Sequence, residues 1–304
     1  MGFQQMKKKV FHCGRSTRAL KSDIFTLEYP IFALDGKAKD SPLHYEHNGI
    51  TIEVTVKGNS EGIGPATIKD KEILMFCLTE MMSKNVFVKE KMYKASFTIY
   101  DFLKSVGRGV SGANYKQVFD GLKRLSHTYV LTNHLFNGRR NYKSFSLIDK
   151  YEVSETLGYS TITITLGSWL TRQATDSTKK ILTLRSNYLT LTRPFERRVY
   201  ELCRKFCGSK KTFDIGIDNF RKRMTPNTPL REFTRLIKAI CDGKKGLLLN
   251  YKISLDGKLL KICNTPPANE NAHEKNILKL TDGPQKAVSN IIAFPYAKVV
   301  KGCG

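Results

Sequence analysis

The stretch Pro229-Leu-Arg-Glu-Phe-Thr-Arg-Leu-Ile-Lys-Ala-Ile-Cys241 decides how this chain reads. Leu230, Phe233, Ile237 and Ile240 recur along one helical stripe. Arg231, Arg235 and Lys238 fall at i, i+4 and i+7 on another face. Pro229 suits a first helical turn, where its missing N–H has no partner to lose. The pattern predicts a short helix with one side for a core and one for a polyanion.

Working outward, Arg193–Cys263 holds 18 Lys and Arg against 7 Asp and Glu. The whole chain of 304 residues holds 51 against 27, a net charge of +24, so nearly half of the excess sits in under a quarter of the length. Lys7-Lys8-Lys9 and Arg221-Lys222-Arg223 are the longest like-charge runs, too short for a basic tail. Charge carried on amphipathic segments points to a folded binder of nucleic acid. The length favours two domains, each with its own core. Seven cysteines, an odd number mostly within apolar helical patterns, read as reduced core thiols. No apolar segment follows the N-terminal lysines, and Ile73–Leu78, the longest apolar run, cannot span a bilayer. A soluble, cytoplasmic protein with no membrane partner is expected.

Residues 1–45 read as a basic, irregular segment. Ile50–Val56 alternates as a strand. Asp70 offers an N-cap to a helix reaching about Ser83, with Ile73, Leu74, Cys77, Leu78, Met81 and Met82 inward. Then come an extended piece at Ser96–Ile99, a short helix at Asp101–Val106, and a helix from the N-cap Ser111 to about Ser126. Tyr129–Leu135 and Tyr142–Ile148 face each other across Asn137-Gly138-Arg139-Arg140, a hairpin signal. A third strand at Ile162–Leu166 and a helix near Trp169 finish a first domain, 46–178, before the polar stretch Thr175–Lys180.

The order then returns over 179–263. Thr192 caps a helix whose stripe is Phe195, Val199, Leu202, Cys203 and Phe206, ended by Gly208. Thr212–Ile215 is extended, Asp218–Met224 helical, and the Pro229–Cys241 helix precedes strands at Leu247–Ser254 and Lys258–Ile262. Phe97-Thr98-Ile99 aligns loosely with Phe213-Asp214-Ile215, and Leu131-Thr132-Asn133 with Leu248-Leu249-Asn250, a weak internal duplication. Residues 264–304 read as a flexible tail.

Helix, short strand, helix, helix, hairpin is the order of a winged helix, so the fold class expected is α+β with tandem winged helix domains. The third helix of such a unit enters the major groove and the hairpin touches backbone or minor groove. In the second unit Arg231, Arg235 and Lys238 would face DNA, with Thr234 and Glu232 adding base-edge contacts. Arg221, Lys222, Arg223, Lys244 and Lys245 flank that helix and suit phosphates. In the first unit the candidates are Asn114, Lys116 and Gln117 on the helix, and Arg139, Arg140 and Lys143 on the hairpin. Any one of these charges alone is as well explained by a solvated face; the cluster points to DNA.

Three other patterns fail on inspection. Gly107–Asn114 has the glycine spacing of a phosphate loop, but Ala113 and Asn114 stand where lysine and a hydroxyl residue belong. His44-Tyr45-Glu46-His47 has no third ligand at a telling spacing, and it departs from the His-hydrophobic-His pattern of rolling-circle nickases. Cys203 and Cys207 lack the companion pair a zinc site needs. No catalytic residue, metal or cofactor is expected.

Leu189-Thr-Leu-Thr-Arg-Pro-Phe-Glu-Arg-Arg-Val-Tyr-Glu-Leu-Cys-Arg-Lys-Phe-Cys-Gly208 resembles the signature block of the RepA-type replication initiator protein A family of bacterial plasmids. Leu230–Ile240 and Leu249-Asn-Tyr-Lys-Ile253 are similar to a second block of that family. The resemblance spans roughly residues 45–262. Two positions depart from it: Asn250 where proline is common, and Phe206 where histidine is expected. The resemblance implies tandem winged helices that bind double-stranded DNA with direct repeats (iterons) at a plasmid origin, promote local opening, and recruit the host replication initiator and replicative helicase. Related families dimerise through the first domain, so a homodimer is a further expectation, with the domain that carries its interface left open by the residues. A winged-helix transcriptional repressor and an origin-nicking enzyme are the alternatives that the residues leave open.

Overall fold

A computed structural model of the chain describes residues 19–34, 43–56, 62–83, 93–134, 143–156, 159–175, 180–243 and 248–265. β1 (Lys21–Asp23) runs directly into α1 (Ile24–Glu28), where Asp23 caps the helix by accepting the Thr26 amide at 2.8 Å. Leu27 and Ile31 are fully buried, so this part of the N-terminal segment is core rather than irregular cover. A three-residue strand is too short to announce itself by alternation, and β1 is fixed by a distant partner. β2 (Leu43–His47) and β3 (Ile50–Val56) form a hairpin over Asn48-Gly49, both at positive φ, the backbone a two-residue turn demands.

α2 (Lys71–Ser83) buries Ile73, Leu74, Cys77, Leu78 and Met81 as its spacing predicts. Its expected cap differs: the Asp70 carboxylate accepts from Thr67 and Arg124 instead. β4 (Lys94–Thr98), α3 (Ile99–Ser105) and α4 (Gly112–His127) follow, then β5 (Thr128–Thr132), β6 (Lys143–Ser146), β7 (Ile148–Thr156), β8 (Tyr159–Leu166) and α5 (Ser168–Thr175). β9 (Ile181–Thr183) pairs antiparallel with β1. α6 (Pro194–Phe206), β10 (Thr212–Gly216), α7 (Ile217–Met224), α8 (Leu230–Cys241), β11 (Tyr251–Asp256) and β12 (Leu259–Asn264) complete the order. Arg193 rather than Thr192 is the N-cap of α6, which leaves Pro194 as its first residue.

The architecture mixes helices with antiparallel sheets. One sheet has the order β4-β8-β7 and another β10-β12-β11. In each, a strand that leads into a helix pairs with the second arm of a later hairpin, Thr98 opposite Thr161 and Gly216 opposite Leu259. The hairpin that closes the first unit is therefore β7–β8. The expected hairpin, β5–β6, does pair, but as the edge of a separate sheet, β2-β3-β5-β6. Element order repeats between the two units, apart from β5 and β6, which have no counterpart in the second, and in a different register from the one expected. Ile99 and Phe102 correspond to Ile217 and Phe220, and Gly112, Tyr115 and Leu122 correspond to Leu230, Phe233 and Ile240, all at one constant spacing. Leu131–Asn133 has no counterpart at Leu248–Asn250.

Two hydrophobic clusters form. The first gathers α2, α3, α4 and the sheets around them; the second gathers α6, α7, α8, β11 and β12. Leu20, Leu27 and Met75 cross over from the N-terminal half into the second cluster. Among the described residues no helix is long and apolar enough to cross a membrane. The segment 266–304, read as a flexible tail, lies outside the described residues.

Candidate nucleic-acid interface

α8 is positioned by its apolar stripe. Phe233 and Ile237 are fully buried and Ile240 nearly so, against Phe195 and Phe220 among others. Leu230, counted in that stripe by sequence, is 41% exposed, because it opens the helix outside the cluster. Pro229 sits one position earlier than expected, at the N-cap with extended backbone. Packing on one side leaves Arg231, Arg235 and Lys238 together on the opposite, exposed side. Thr234 turns its hydroxyl back, donating to the Leu230 carbonyl at 2.7 Å. Arg235 forms a two-pronged pair with Glu232, Nε to Oε2 at 2.9 Å and Nη2 to Oε1 at 2.7 Å. Those hydrogen bonds hold the Glu232 carboxylate below its usual range. The guanidinium is thus pre-aimed on the helix surface.

The flanking arginines divide. Arg221 donates to Asp218, and to the Pro226 and Thr228 carbonyls at 2.6 and 2.9 Å, clamping the turn between α7 and α8. Its side chain is only 14% exposed. Arg223 faces inward: it bonds Asn219, lies near Glu28, and sits over the rings of Tyr45 and Phe206. Both were expected on phosphates; the structure gives Arg221 to a turn and Arg223 to the interior. Lys222 remains partly exposed beside Asp218. Lys244 and Lys245 lie outside the described residues. Lys252, Lys258 and Lys261, which the sequence reading passed over, are exposed on the β11–β12 hairpin. The alternation of Lys252 and Ser254 with buried Tyr251 and Ile253 carried that signal.

In the first unit α4 exposes Lys116 and Gln117, while Asn114 bonds the Ser111 hydroxyl at 3.0 Å. At the position equivalent to Lys238 stands Asp120, so this surface is less basic than that of α8. Lys143 is exposed at the start of β6, in the sheet β2-β3-β5-β6 rather than in that of the β7–β8 hairpin. Arg139 and Arg140 lie outside the described residues.

His44 and His47 are on β2, and His44 approaches Glu46 at 3.8 Å. Tyr45 between them is 1% exposed, and burial raises its phenol above the usual range. Among the described residues no three His, Cys, Asp or Glu side chains group as metal ligands. Phe206 stacks on Phe213 at 5.5 Å, and Asn250 donates to Asn264, so the two departures from the family pattern serve packing and a strand end.

The family model described as replication initiator protein A matches residues 21–253. "Putative replication protein" of Wigglesworthia glossinidia brevipalpis is 30% identical over 242 residues, covering 77% of this chain and 84% of its own length. Among solved structures, the selenomethionine form of domains 2 and 3 of RctB gives a TM-score of 0.52 at 14% identity, covering 81% of this chain and 99% of that one. A second structure of RctB domains 2–3 gives 0.45 at 14% identity over 80% and 97%. At that identity the likeness is one of fold.

Proposed function

The chain belongs to the replication initiator protein A family, and from that premise we propose that it binds duplex DNA through two winged helix units. α4 and α8 are the reading helices, and β7–β8 and β11–β12 the wings. The observation that carries this reading is the α8 surface, where Arg231, Arg235 and Lys238 stand exposed over a buried Phe233–Ile237 stripe. Lys222 and the hairpin lysines Lys252, Lys258 and Lys261 supply phosphate contacts. The sites are direct repeats at a plasmid origin. Binding bends and unwinds neighbouring A·T-rich DNA, whose steps deform at least cost. Opening needs no catalytic residue, so the protein is no enzyme. A host initiator, the replicative helicase and a second copy of the chain are the partners that the family likeness supports.

The test is binding to duplexes carrying direct repeats from the element's own non-coding region, beside scrambled duplexes, across a salt series. Laddered, sequence-specific complexes with a steep salt slope are expected. Preference for a single palindrome with no distortion of adjacent DNA would instead mark a repressor. A covalent protein–DNA adduct formed with a divalent metal would overturn the non-enzymatic reading.

A further inference from the structure

The residues that carry the family likeness on α6 do not face DNA. Arg197, Arg198 and Glu201 are each under 10% exposed, and they meet Lys71 and Glu72, the second and third of three consecutive charged residues at the head of α2. Lys71 pairs with Glu201 at 2.9 Å; Glu72 pairs with Arg197 and, at 2.8 Å, with Arg108. Asp70 takes both prongs of Arg124 at 2.7 and 2.8 Å. Tyr188 donates to the second Glu201 oxygen at 2.8 Å. Arg198 reaches the Leu27 carbonyl at 2.9 Å and the Arg223 carbonyl at 2.7 Å.

Followed outward, these bonds join the two reading helices. Arg124 lies within α4 and Arg108 just before it. Asp70, Lys71 and Glu72 hand the connection to α6. Arg198 hands it to the end of α7, and Arg221 holds the turn into α8. Lys71, Glu72, Arg197, Arg198 and Glu201 form the dry part of the network, where displacement leaves an unpaired charge out of water, and Arg108 and Arg124, 21% and 26% exposed, carry it to α4. We propose that the Asp70-Lys71-Glu72 hub fixes α4 and α8 in one mutual orientation, so that the chain reads two DNA segments at a single permitted spacing. This rests on the DNA-reading role proposed above, and adds a positioning function for residues that touch no DNA.

The experiment begins with selection of a random-sequence duplex pool on the full-length chain, followed by footprinting of the winning site. Single base pairs are then inserted between the two protected segments. Each insertion rotates the far segment by about 34° and moves it by about 3.4 Å. One insertion is expected to weaken wild-type binding at least tenfold. Glu201→Gln, which keeps the side-chain volume and removes the charge between Lys71 and Arg198, should reduce that penalty below about threefold. Its affinity for each isolated segment should match the wild type. A folded Glu201→Gln as strict as wild type would overturn the role of the hub. Tolerance of the insertion by the wild-type chain would overturn the fixed spacing, and that arm decides even if the variant fails to fold. A site with one protected segment leaves DNA reading intact and refutes the ruler. A pool with no enriched sequence refutes both.

Discussion

At Arg235 two-thirds of the side chain stands in water with its fork held by Glu232, whereas at Arg223 the same kind of group is 10% exposed among rings and carbonyls. The two therefore fail differently when truncated. Arg235→Ala should leave folding intact and weaken specific DNA binding roughly 5-fold to 150-fold, measured by fluorescence anisotropy at fixed salt; unchanged affinity would mean that α8 is not the reading helix. Arg223→Ala should cost about 3–5 kcal/mol of stability, as for one partner of a buried pair. Its neighbour Lys222→Ala should stay within about 0.5 kcal/mol. Chemical denaturation of the pair checks this, and equal midpoints would contradict the inward placement. In the sequence Arg221-Lys222-Arg223 is a run of charge and nothing more. A helical projection through Ile217, Phe220 and Met224 does place Arg223 at the inner margin, but charge argued for the surface, and only the partners on β2 and α6 settle the contest.

Helices and individual strands follow closely from local pattern, as α8, α6 and β3 show, each within a residue or two of expectation. Strand partnership does not. Asn137-Gly138 marks the β5–β6 hairpin, yet nothing in those residues says which sheet it joins. That depends on β4 finding β8, a pairing of distant segments whose reward is burial of Ile162 and Ile164. β7 carries Lys150, Glu152 and Glu155 along an edge, so its alternation was too polar to stand out. The seat of α4 on α2 offers a test at this scale. A methyl group added at Gly121 would lie 2.7 Å from Asp70 Oδ1, and that carboxylate is already held by Thr67 and Arg124. Gly121→Ala should therefore destabilise by about 1–3 kcal/mol through overpacking. A wild-type urea midpoint would show that α4 sits further from the Asp70 turn.

For the whole molecule, Leu20, Leu27 and Met75 cross into the second cluster with the hub beside them, and we expect the two cores to unfold together. Trp169, the single tryptophan, lies in the first cluster. Its fluorescence and the helical circular dichroism should be lost at one temperature; two separated midpoints would mean independent halves. The sequence shows Asp70-Lys71-Glu72 only as the polar start of a helix, since each partner on α6 lies more than a hundred positions away. That distance matters while the protein is being made. Glu72 leaves the ribosome 125 residues ahead of Arg197, a wait of roughly 6–25 s at about 5–20 residues per second. Until α6 emerges, Lys71 has only the Thr26 carbonyl and Glu72 only Arg108 to meet, so the hub is expected to close last. A product of interrupted translation that stops short of α6 is therefore expected to keep the hub half-built and to be cut by proteases faster than the full chain.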